Sequence, residues 1–128
     1  MHAHEARGAA AYRTQHIQTR SPLELVVLLY DSAIDRVVAA RQAIDRADVR
    51  ARGEAVSRAL GIVAERRQTL DVERGGEIAE RLDALYAYLT GRLMDVTVKG
   101  DAAALDEAQR LLSTLRDAWS QIAAEARR

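Results

Sequence analysis

The side chains able to do chemistry are sparse and poorly placed for it. The 3 histidines, His2, His4 and His16, all lie in the opening stretch, ahead of any helical pattern. A di-iron bundle needs Glu-x-x-His motifs on facing helices, and a helical zinc site needs histidines one turn apart; neither motif occurs. His2 and His4 form at best a loose pair on a solvated terminus, so no metal is expected. Ser21, Ser32, Ser57, Ser113 and Ser120 have no histidine on a neighbouring helix to act as a base. Gly75-Gly76 lacks both the preceding strand and the Lys-Ser/Thr of a phosphate-binding loop. The carboxylates fall almost entirely on polar helix faces. Catalysis is therefore not expected, nor is a cofactor; the chain reads as a binding protein.

The elements that would position a binding surface are four amphipathic helices. Ser21 is suited to cap the first, its hydroxyl accepting a backbone N–H, with Pro22 at the first helical position and Glu24 completing a capping box. That helix runs over about 22–46. Leu23, Val26, Val27, Tyr30, Ile34, Val37, Val38 and Ile44 form one stripe at 100° per residue. Leu25, Leu28 and Leu29 point to the other side, so the first two turns are apolar all round. A segment of that kind must be covered, by this chain or by a partner.

Asp48 caps a second helix over about 49–70. Its stripe is Val49, Val56, Ala59, Leu60, Val63 and Leu70, with Arg52 and Arg67 at its ends where long side chains reach water. Ile62 lies off the stripe and is expected to be exposed. Glu54 and Arg58 are spaced for an i,i+4 ion pair. Gly75-Gly76 interrupts the pattern, and a third helix follows over about 77–98. Ile78, Leu82, Leu85, Leu89, Leu93 and Val96 make its stripe. Tyr86 and Tyr88 sit on opposite edges, where a ring can be buried and its hydroxyl kept wet. Met94 and Val98 face away. Gly100-Asp101 ends this helix and starts a fourth over about 102–126, with Leu105, Ala108, Leu111, Leu112, Leu115, Ala118, Trp119 and Ile122 inward. Short connections between such helices predict an all-α, antiparallel four-helix bundle spanning 21–128.

Residues 1–20 read as a flexible arm with two anchors, Tyr12 and Ile17. Their spacing suits neither helix nor strand, and the arm is expected to dock reversibly on the Leu25, Leu28 and Leu29 face. Lys+Arg and Asp+Glu are both 19, so no net field favours nucleic acid or anionic lipid. With Cys 0 there is no disulfide framework. There is no secretory signal, and no run approaches the roughly 18 apolar residues of a membrane span. Cytoplasmic residence is expected.

Three separated motifs carry a resemblance. The first is Tyr12, Ile17, Thr19-Arg20-Ser21-Pro22 and Leu29-Tyr30-Asp31-Ser32-Ala33-Ile34. The second is Leu70-Asp71, then Gly75-Gly76-Glu77-Ile78, Leu82-Asp83, and Leu85-Tyr86-Ala87-Tyr88. The third is Leu111-Leu112, Leu115 and Asp117-Ala118-Trp119. Together they resemble the flagellar secretion chaperone family FliS over about residues 12–122. The sequence departs from the family pattern at Ala9, Arg20, Ser32, Ala87 and Gly91. The resemblance implies a bundle that binds the disordered C-terminal segment of flagellin, prevents its premature polymerisation and delivers it to the export gate, where FlhA is the expected partner. Amphipathic client segments would lie in grooves between helices, with Tyr12, Ile17, Leu25, Leu28, Leu29, Tyr86 and Tyr88 as contact residues. The protein would be a monomer or a weak homodimer. The competing reading from pattern alone is a self-associating structural or adaptor bundle whose spare face serves a second copy.

Overall fold

The computed structural model describes residues 21–127. Four helices fill that stretch: α1 (Pro22–Asp45), α2 (Val49–Gln68), α3 (Val72–Lys99) and α4 (Ala102–Ala126). Three of them begin at the expected cap. Ser21 Oγ accepts the Glu24 N–H at 3.2 Å, Asp48 Oδ1 accepts from Ala51 at 3.0 Å, and Asp101 Oδ1 accepts from Ala104 at 3.1 Å. Asp71 caps α3 in the same way, so α3 starts one turn before the glycine pair. The interruption there is a kink, produced by Gly76 at φ 55°, rather than an open loop.

Contacts between helices fix an up-down-up-down bundle in which α1 and α3 each lie between α2 and α4. Along α1 and α4 the partners run antiparallel: Glu24 with Arg127, Asp31 with Arg116, Arg41 with Asp106. Between α2 and α3, Arg52 donates to the Thr97 carbonyl and Arg67 grips both oxygens of Asp83. The start of α1, the end of α2, the start of α3 and the end of α4 therefore share one end of the molecule. The α1–α2 connection is tight: Asp48 N–H reaches the Ala43 carbonyl and Ala47 N–H reaches that of Ile44. These are the two bonds of a Schellman motif, and they hold Ala47 at φ 57°.

The core is built from Leu89, Leu93, Leu105, Leu112, Val37, Val56, Val63 and Val96, with Tyr30 and Tyr86 among them. Burying each leucine or valine removes it from water at a gain of about 1.5–3 kcal/mol. Alanines fill the remaining positions: Ala33, Ala40 and Ala43 on α1 and Ala55 and Ala59 on α2 are buried. The inward direction of α1 is thus turned toward these small side chains, which let α2 approach closely. Four residues expected inside are outside: Val49 (64%), Ile78 (73%) and Ile122 (45%) lie near the ends of their helices, beyond the reach of a covering neighbour, and Ala118 is also exposed. Ile62, expected to be exposed, packs against the core instead.

Candidate interaction surface

The leucines left over by the α1 stripe remain left over in the fold. Leu28 is 37% exposed, Leu25 and Leu29 are half-buried, and none of the three belongs to the core or to the side chains packed against it. Two α1 turns thus carry an apolar surface that the other helices do not seal.

Beside Leu28, between the start of α1 and the end of α4, is an open depression of about 200 Å³. Val27, Leu28 and Ala123 give it apolar walls. Two ion pairs frame it, Arg127 Nη1 to Glu24 Oε1 and Arg116 Nε to Asp31 Oδ1, each at 2.8 Å. The hydrogen bond it donates to Asp31 holds the Arg116 guanidinium's pKa above its ordinary value. These pairs clip the two helices together without covering the leucines. Val72, Ile78 and Ile122 are also exposed, and the topology puts them at this same end of the bundle.

The tyrosines separate into two roles. Tyr88 is 49% exposed on α3, and its hydroxyl donates to the Glu107 carboxylate on α4. That hydrogen bond, followed by partial burial, raises the phenol's pKa. Tyr86 does not keep a wet hydroxyl as its edge position suggested. It is 3% exposed, and its hydroxyl is hydrogen-bonded to that of Tyr30 inside the core. The physical reason is polar satisfaction: two phenols buried together supply each other's partner, so neither needs water. Burial, and then the bond to Tyr86, pushes the Tyr30 pKa far above the ordinary phenol value. Tyr86 thus belongs to the interior rather than to a surface edge. No equal register gives this away: Tyr30 lies about two turns into α1 and Tyr86 nearly four turns into α3, so only the packed bundle brings them level. Tyr12 and Ile17 lie outside the described residues.

The interhelical ion pairs were not read from the sequence, because pairing across helices depends on register. The same holds for Glu54. It pairs with Arg50 at 3.3 Å rather than with Arg58. Among the described residues no group of three or more His, Asp or Glu could hold a metal ion, and no helix is long and apolar enough to cross a membrane.

The chain is similar to known proteins over nearly its whole length. The family described as "Flagellar protein FliS" matches residues 5–126. The flagellar secretion chaperone FliS of Salmonella typhimurium is 38% identical over 126 residues, covering 94% of this chain and 93% of the relative. The flagellar secretion chaperone FliSB of Pseudomonas aeruginosa is 35% identical over 106 residues, 83% of this chain and 84% of the relative. The Bacillus subtilis flagellar secretion chaperone FliS is 32% identical over 111 residues, 87% of this chain and 82% of its own. An apolar face on a four-helix bundle, in a sequence matched from end to end in this way, belongs to a member of the FliS family.

Proposed function

We propose that this protein is a flagellin export chaperone. It binds the disordered C-terminal segment of flagellin in the cytosol, keeps it from polymerising early, and carries it to the export gate, where FlhA receives it. The observation that carries this reading is the leucine face at the start of α1 that the other described helices do not seal, in a chain whose relatives are named as flagellar secretion chaperones. A disordered client that folds on binding loses ordering entropy, so it needs extended apolar cover and gains only modest affinity per unit area. Leu25, Leu28 and Leu29 offer such cover, and Tyr88 on α3 is proposed as a separate contact. Tyr12 and Ile17 of the arm are proposed to shield this face when it is empty and to yield to the client. Such competition lowers apparent affinity by the closed fraction and limits self-association through exposed apolar surface. The work is done by binding alone.

Calorimetric titration of the full-length protein with the flagellin C-terminal segment tests the proposal. Saturable binding on the order of 10 µM or tighter is expected, weakened by Leu28→Glu with little change in helicity. No heat and no complex at that concentration, together with a stable dimer in sedimentation, would favour the self-associating bundle and overturn the proposal.

A further inference from the structure

A second groove lies between α1 and α2, on a face that the leucines reach but do not fill. It encloses about 240 Å³ and is lined by Arg36, Ala39, Ala51, Glu54, Ala55 and Arg58. Its floor is three alanines, so it is shallow, narrow and nearly featureless. Its rims are charged. Among the described residues neither Arg36 nor Arg58 takes part in an ion pair, whereas Glu54 is engaged by Arg50.

Of the five arginines on α2, Arg52 and Arg67 are engaged with α3 and Arg50 with Glu54, and Arg58 is the one that lines this groove, opposite Arg36 of α1. The groove is also continuous with the leucine face. On α1, Leu25, Leu29, Ser32, Arg36 and Ala39 follow one another at alternating steps of four and three, which keeps them on one strip of the helix. On α2, Ala51, Ala55, Arg58 and Ile62 do the same. The α1 strip is about 20 Å long at 1.5 Å per residue, enough to accompany a helix of three to four turns.

From these observations we infer that the α1–α2 groove holds a helical segment of the client whose inward face is small and whose flanks carry carboxylates that pair with Arg36 and Arg58. This rests on the chaperone reading above and names the chemistry of the client that the reading requires. An alanine floor admits a helix backbone closely but removes little apolar area, so burial alone discriminates poorly between clients. Guanidinium groups add what the floor lacks. Each presents a planar fork that matches a carboxylate with two parallel hydrogen bonds, and this fixes which way the segment lies. The leucine end then supplies apolar anchoring and the alanine end supplies orientation.

The test uses the full-length protein and the flagellin C-terminal segment, titrated at low and at 0.5 M-range salt. Arg36→Glu/Arg58→Glu is expected to weaken binding roughly tenfold or more at low salt, with a much smaller effect at high salt, where charge interactions are screened over a few ångströms. Its melting temperature should fall by only a few degrees, since neither arginine has an ion-pair partner among the described residues and the cost is the new repulsion between Glu54 and position 58 one turn away. Arg110→Glu, a reversal on α4 outside this groove, should leave binding within twofold. In NMR spectra the Ala39, Ala51 and Ala55 methyl signals should shift on binding. If the double reversal binds within twofold of the parent while Leu28→Glu still weakens binding, the client reading stands and this inference is overturned. If the parent itself fails to bind the segment, the client reading falls and takes this inference with it.

Discussion

Replacing Tyr86 with phenylalanine removes one oxygen from the centre of the bundle, and the consequence can be worked out from what that oxygen touches. Its hydroxyl is bonded to the Tyr30 hydroxyl, both residues being almost wholly buried. Tyr86→Phe leaves the Tyr30 hydroxyl in the core without that partner, and Tyr30→Phe does the same to Tyr86. An orphaned buried hydroxyl costs about 1–3 kcal/mol. Removing both oxygens leaves nothing to satisfy, so Tyr30→Phe/Tyr86→Phe should be close to neutral. Both singles are therefore expected to lose stability in this range, and the double variant much less than their sum. Urea unfolding followed by circular dichroism measures all four corners of the cycle, with equal m-values as the check that the folded and unfolded states are unchanged. The pH dependence gives a second reading of the same bond. The folded phenol of Tyr30 titrates above the ordinary value of 10.0, so its contribution is complete below about pH 10 and is lost as pH rises past it, because the unfolded chain releases that proton first. This alkaline loss should shrink in Tyr30→Phe. A double variant destabilised by the sum of the two singles would refute the reasoning, since it would show that the two oxygens act independently.

Ala47 holds a left-handed backbone at φ 57° in the α1–α2 connection, a conformation costing a non-glycine residue roughly 1–2 kcal/mol. Ala47→Gly is therefore expected to raise stability by about 0.5–1 kcal/mol in thermal or urea melts, after the extra entropy of an unfolded glycine is subtracted. The opposite change, Gly100→Ala, forces a side chain onto φ 66° and brings its Cβ to 2.7 Å from Arg52 Nη1; a loss of about 1–2 kcal/mol in the same melts is expected. Leu93→Ala should cost about 2–5 kcal/mol because Leu93 is fully buried. Leu28→Glu should cost less than about 1 kcal/mol, and comparable losses for the two would place Leu28 in the core.

What could be read in the linear chain was local. Ser21, Asp48 and Asp101 cap their helices and Gly100 ends one because a cap acts on backbone groups within three or four residues, and those are known from the sequence itself. The fold class followed for the same reason, since periodicity is a property of one helix at a time. The spare leucines were also visible, because a face apolar all round needs no knowledge of its neighbour. Direction and register were decided only by assembly. The largest side chains of α1 mark one stripe, yet the helix also turns Ala33, Ala40 and Ala43 inward, where small side chains admit a neighbouring helix. Ile78 carries the right spacing but sits where no other helix covers it. The spacing puts Tyr86 on a helix edge, but its hydroxyl's partner is on another helix, 56 positions away along the chain. The pairing of Arg116 with Asp31, and the absence of one for Arg58 among the described residues, were likewise beyond the chain's own pattern. A charge finds its partner by distance in space, and only the packed bundle sets that distance.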